Sequence, residues 1–134
     1  MGANGIHHLG IAVADLEEAV SSYQRLFGAS LEHRDRVEDQ GVEAASMLVG
    51  ASRVELVTPL GEDTPVGRFL AKRGPGMHHV AYEVSDLRAT LAQLQSAGAD
   101  LIDTAPREGL FGLEVAFVHP DSVHGVLSEV ISAG

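Results

Sequence analysis

The sequence predicts an α+β fold built from two βαβββ modules. Three observations carry the prediction. First, residues 5–16, GIHHLGIAVADL, return as residues 76–87, GMHHVAYEVSDL, with identity at six of twelve positions: Gly5/Gly76, His7/His78, His8/His79, Val13/Val84, Asp15/Asp86 and Leu16/Leu87. Such a repeat is the signature of a duplicated unit. Second, each copy runs directly into a capped helical pattern. Third, each helix is followed by three short extended segments separated by turn residues.

In the first module the strand residues end at Asp15, a helix N-cap, with Glu18 three residues on to complete a capping box. Leu16, Ala19, Val20, Tyr23 and Phe27 follow at helical spacing, and Gly28 stops the helix. Extended segments are expected at about 30–37, 42–49 and 53–58, broken at Gln40-Gly41 and at Gly50-Ala51-Ser52. Thr64-Pro65 then reads as the N-cap and first residue of a linking helix that runs to about Lys72 and ends at Gly74-Pro75-Gly76. In the second module Asp86 or Ser85 caps, Leu87, Leu91 and Leu94 form the apolar stripe, and Gly98 ends it. Its extended segments are expected at about 100–104, 113–118 and 125–131, with breaks at 106–112 and 119–124. The expected organisation is one domain over 1–134: module 1 at about 5–59, the linker helix at about 64–73 and module 2 at about 76–132.

Composition narrows the function. Hydrophobic residues make up 45% and aromatics only 4%, so the core must be mostly Val, Leu, Ile and Ala. No apolar run approaches the ~18 residues of a membrane-spanning helix, and no signal peptide is expected, because the N-terminus reaches a charged segment by Asp15. There is no cysteine, which excludes disulfides and thiolate ligands and fits a cytoplasmic protein. Any metal must therefore be held by His, Asp, Glu or Gln. The net charge of −10 argues against nucleic acid or an anionic membrane as partner, and leaves room for a small anionic substrate held locally.

Strand alternation divides each His-His pair. His7, Leu9, Ile11 and Val13 share one face, which should pack under the helix; His8, Gly10 and Ala12 share the other, where the small residues leave space. Likewise His78 lies with Val80, Tyr82 and Val84, and His79 with Ala81 and Glu83. His7 and His78 are thus scaffold residues and His8 and His79 site residues. The last strand of each module carries one Glu in an apolar run, Glu55 and Glu129. A carboxylate there is costly unless paired, hydrogen-bonded or metal-bound. If the modules assemble about a pseudo-twofold axis, His8, Glu55, His79 and Glu129 converge. Two imidazoles and two carboxylates suit Co²⁺, Zn²⁺, Mn²⁺, Ni²⁺ or Fe²⁺. His33 lies in a charged stretch and reads as solvated; His119 reads as a turn residue or a substrate contact.

The doubled βαβββ unit with its His…Glu…His…Glu set resembles the vicinal oxygen chelate superfamily, which includes glyoxalase I, extradiol dioxygenases and bleomycin-resistance proteins. More narrowly, the chain is similar to the methylmalonyl-CoA epimerase family. The similarity is carried by Ile6-His-His-Leu-Gly-Ile-Ala-Val, Asp39-Gln-Gly-Val, Val54-Glu-Leu-Val-Thr-Pro, Thr64-Pro-Val-Gly-Arg-Phe-Leu-Ala-Lys-Arg-Gly, Gly76-Met-His-His-Val-Ala, Phe117-Val-His-Pro and His124-Gly-Val-Leu-Ser-Glu. The resemblance implies a curved mixed sheet around a metal-containing cleft, ligands at His8, Glu55, His79 and Glu129, a homodimer, and interconversion of the two C2 epimers of methylmalonyl-CoA. Glu129 is then the first acid/base candidate as well as a ligand.

Two departures stand out. Some members carry a Glu two residues after the Gly-Val of Gln-Gly-Val; here that position is Ala44, and Glu43 is one residue early. A one-residue slip reverses the face of a strand, so Glu43 becomes the second acid/base only if a bulge rescues it; otherwise another acid or water serves. Asp121 stands where epimerases often have Lys. Arg68, Lys72, Arg73 and Arg107 are candidates for CoA phosphates, although charged residues on a helix are more often simply solvated. A glyoxalase-I-type isomerase or lyase, and a non-catalytic small-molecule-binding protein, remain as alternatives.

Overall fold

The computed structural model describes residues 2–132, and the elements follow the doubled order. They are β1 (Gly5–Ala12), α1 (Leu16–Phe27), β2 (Ser30–Val37), β3 (Val42–Val49), β4 (Ser52–Pro59), α2 (Pro65–Arg73), β5 (Gly76–Glu83), α3 (Leu87–Ser96), β6 (Arg107–Glu108), β7 (Glu114–Val118) and β8 (Ser128–Ser132). The fold is therefore α+β, with parallel and antiparallel pairings in each half. It has two compact units. One is His8–His78; the other joins the described residues of Met1–His7 to those of His79–Gly134. The chain passes from one unit to the other inside each His-His pair.

In the unit His8–His78 the strand order is β2-β3-β4-β1. β2, β3 and β4 form an antiparallel meander, and β1 adds in parallel to β4, with Leu9 opposite Val54 and Gly10 opposite Glu55. Helix α1 forms because Asp15 accepts the Glu18 N–H at 3.1 Å and Gly28 adopts the left-handed conformation that ends the helix. Its buried Leu16 and Val20 pack with Ala45, Met47 and Leu56, joined by Ala19, Tyr23, Ile11 and Val54. Phe27, expected in this stripe, instead stands 63% exposed at the last turn, its ring 5.6 Å from that of Tyr23.

The linking helix α2 begins as expected. Thr64 accepts the Gly67 N–H at 3.0 Å and donates to the Gly61 carbonyl at 2.8 Å, with Pro65 in the first turn. This tight entry explains Gly67. A Cβ there would lie 2.5 Å from the Gly61 oxygen and 2.6 Å from the Glu62 oxygen, both backbone atoms. Gly67→Ala, which in an open helix gains about 1 kcal/mol, is expected here to cost about 2 kcal/mol by overpacking. Thermal unfolding should show a Tm lowered by roughly 5–10 °C; an unchanged or raised Tm would show that the entry loop yields freely.

In the second unit the order is β5-β8-β7-β6. β5 pairs in parallel with β8, placing Ala81 opposite Glu129, and β7 is antiparallel to β8. Asp86, not Ser85, caps α3, accepting the Ala89 N–H at 3.0 Å. Leu87 and Leu91 pack with Val84, Ala116 and Val130, flanked by Leu94 and Tyr82. The second module departs from expectation after its helix. The strand expected at 100–104 is reduced to a single bridge between Leu101 and Val118, because Asp103 turns to accept the Phe117 N–H at 2.9 Å. The two-residue β6 lies inside the stretch expected to be a break. No described helix is long and apolar enough to cross a membrane.

Candidate functional site

The register of each unit sets a histidine beside a glutamate. In His8–His78, β1 and β4 place Gly10 directly opposite Glu55. With no side chain at Gly10, His8 on the same face reaches the carboxylate, Nε2 to Oε2 at 3.4 Å, and both residues are buried. The second unit repeats the device. Ala81 lies opposite Glu129, and His79 Nε2 stands 4.0 Å from Glu129 Oε1, again with both residues buried. A small residue opposite each Glu thus creates the room that alternation implied.

The partners in each His-His pair behave differently. His78 is turned to the helix layer, where its ring meets Phe69 of α2 edge-on at 5.0 Å, and burial pushes its pKa below the ordinary imidazole value. It is a scaffold residue. His79 packs on the opposite side, edge-on to Phe117 at 6.1 Å, and Phe117 is the cross-strand partner of Glu129. Burying imidazole and carboxylate together among Val, Leu and Ala is tolerable when they share a charge partner. By donor type and burial the His–Glu pair of each unit offers donors of the kind a divalent cation takes.

Glu43 requires a correction. The β3–β4 register is continuous from Val42–Pro59 to Val49–Ser52, so no bulge rescues it. Glu43 shares the α1-side face with Ala45 and Met47, and its carboxylate lies 3.5 Å from Arg34, which also pairs with Glu17 of α1. Ala44, with no polar group, occupies the face of Glu55. The structure therefore does not bring Glu43 to the site.

The remaining candidates are placed as follows. His33 is exposed, 3.8 Å from Glu32. His119 is a turn residue whose Nδ1 accepts the Asp121 N–H at 3.1 Å. Arg68 pairs with Asp63 at 2.9 Å, Arg73 lies over the Phe69 ring, and Lys72 is exposed. Arg107 lies 5.5 Å from the Phe117 ring centroid and 3.5 Å from Asp103, so it sits one aromatic ring from His79. Sequence reasoning missed a polar group on the Glu55 face. Ser46, fully buried and directly opposite Glu55, donates to Glu32 Oε1 at 2.7 Å, and Arg53 grips the same carboxylate with Nε at 2.8 Å and Nη2 at 3.0 Å. The Arg53 hydrogen bonds hold Glu32 down at about 2. Only the strand register, not residue type, shows that these three share a face with Glu55.

Comparison with known proteins agrees with this arrangement. A sequence profile of the Glyoxalase/Bleomycin resistance protein/Dioxygenase superfamily matches residues 7–117. The ethylmalonyl-CoA/methylmalonyl-CoA epimerase of Cereibacter sphaeroides is 36% identical over 127 residues, spanning 93% of this chain and 95% of that protein. The crystal structure of methylmalonyl-CoA epimerase from Mycobacterium tuberculosis superimposes with a TM-score of 0.94 at 37% identity, over 98% of this chain and 89% of that one. A Streptomyces coelicolor methylmalonyl-CoA epimerase variant in complex with 2-nitronate-propionyl-CoA gives a TM-score of 0.94 at 36% identity, over 99% and 100% of the two chains. With its sequence matched over nearly the whole length and a buried His–Glu pair in each unit, the chain belongs to the Glyoxalase/Bleomycin resistance protein/Dioxygenase superfamily and, within it, to the methylmalonyl-CoA epimerase family.

Proposed function

We propose that the protein epimerises methylmalonyl-CoA at C2, using a divalent cation held by His8, Glu55, His79 and Glu129. The observation that carries this reading is the matched pair of buried His–Glu contacts at repeat-equivalent strand positions. His8, His79 and Glu129 are a donor group suited to a metal ion. The epimerase relatives, one of them holding an acyl-CoA analogue, supply the substrate class.

The C2 proton is weakly acidic because it neighbours the thioester carbonyl. A bound cation supplies Lewis-acid polarisation of that carbonyl. Glu129 takes the proton and can return it. With Glu43 turned toward α1, exchange at the opposite face falls to another acid or to water. The resemblance further supports a cytoplasmic homodimer.

The test is hydrogen–deuterium exchange at C2 of methylmalonyl-CoA in D₂O, followed by NMR, with and without chelator. Exchange at micromolar enzyme that chelator abolishes is expected; no metal-dependent exchange would sink the reading. Glu43→Gln is expected to keep exchange within about threefold of wild type, since the group faces the helix and its loss leaves the proton-transfer machinery in place. A hundredfold loss, on the order of a general-acid/base contribution, would return Glu43 to the mechanism.

A further inference from the structure

We propose that Arg107 is a substrate-recognition residue of the second unit: it binds the free carboxylate of the methylmalonyl group and so selects a carboxylated acyl-CoA over a neutral one. The inference rests on the acyl-CoA reading above, and every residue it uses lies within the unit that contains β5 to β8. Helix α3 covers one face of this unit's sheet, packing on Val84, Ala116 and Val130. The opposite face carries Ala81, Val115 and Ile131, and alternation puts Phe117 and Glu129 beside them. β6 pairs Arg107 directly with Val115, which sets the arginine on this same face.

The surroundings of Arg107 prepare it for an anion. Its guanidinium carbon stands 5.5 Å from the Phe117 ring centroid, and that ring meets His79 edge-on at 6.1 Å and belongs to the cross-strand partner of Glu129. The stack holds the cation one ring from the proposed proton acceptor. Asp103, its carboxylate fixed by the Phe117 N–H at 2.9 Å, lies 3.5 Å from Arg107 Nε, beyond the ordinary hydrogen-bond range, and so steadies the guanidinium as an ion pair. Arg107 makes no hydrogen bond among the described residues, and its side chain is 46% exposed, so its forked donors can meet a ligand. Charge sets it apart as well. The described residues of the unit hold eight Asp and Glu but only two Lys or Arg, Arg88 and Arg107, and Arg88 lies on α3. A substrate carboxylate approaching Glu129 on the sheet face is repelled by like charges and is met by one permanent cation, Arg107. A planar guanidinium grips a carboxylate through two parallel bonds, which a neutral acyl group cannot accept.

The experiment titrates the full chain by calorimetry with methylmalonyl-CoA and with propionyl-CoA, which lacks the carboxylate and keeps every CoA phosphate; each variant is also melted. Arg107→Met keeps a long apolar stem against Phe117. It is expected to weaken methylmalonyl-CoA about tenfold or more, the scale of a hydrogen bond to a charged group, and propionyl-CoA by less than about threefold. Equal weakening of both esters overturns the proposal and assigns the guanidinium to the CoA phosphates. Unchanged binding of both overturns it as well. If Arg107→Met melts below the assay temperature, Arg107→Lys decides by the same comparison: a loss confined to methylmalonyl-CoA upholds the proposal, and an equal or absent loss overturns it. Wild-type protein that binds neither ester overturns the acyl-CoA reading and this inference with it. Wild-type protein that binds both esters yet exchanges no C2 proton sinks the epimerisation alone, and the comparison of the two esters still decides the role of Arg107.

Discussion

Glu129→Gln is expected to lower C2 exchange of methylmalonyl-CoA by at least about 100-fold, the scale of a lost general acid/base. Gln has the size and the carbonyl donor of Glu but cannot take up a proton. Glu129 is buried in β8 opposite Ala81, with His79 beside it, so little space exists for another side chain to substitute. The measurement is the initial rate of deuterium incorporation with Co²⁺ or Zn²⁺ supplied in excess, which separates the lost proton transfer from weaker metal binding. A variant that keeps more than roughly a tenth of the wild-type rate would remove Glu129 from proton transfer.

The second large effect divides adjacent histidines. His79→Ala is expected to lose bound metal at equilibrium, with affinity down by a factor of about 100 or more, since it deletes one of the proposed ligands. His78→Ala is expected to keep full metal stoichiometry and to lose stability instead. His78 packs edge-on against Phe69, a contact worth about 1 kcal/mol beyond its buried area. Metal analysis after dialysis, read beside the melting temperature, distinguishes the two. Equal metal loss in both variants would mean that strand alternation had not separated site from scaffold.

Much of this was legible because it is local. The caps at Asp15, Thr64 and Asp86 hydrogen-bond within three residues, and the period-2 split of His7 from His8 follows from the pleat of any strand. What misled was also local reasoning applied too far. Residues 100–104 read as extended, but Asp103 spends its carboxylate on the Phe117 N–H, a partner fourteen positions away. Phe27 fits the helical stripe, yet stands exposed at the last turn, outside the cluster that the stripe buries.

The sequence by itself determined the duplication, the helices with their ends, and which histidine of each pair faces away from its helix, because these depend on residue spacing and backbone geometry alone. Only the tertiary structure decided which Glu meets which His, where Glu43 points and what surrounds Glu55. Those depend on register between distant strands: the parallel pairing that sets Gly10 beside Glu55, the unbroken β3–β4 ladder that turns Glu43 to α1, and the slip in β2 that turns Arg34 to the helix side. A one-residue change in any of them would move every following side chain to the other face.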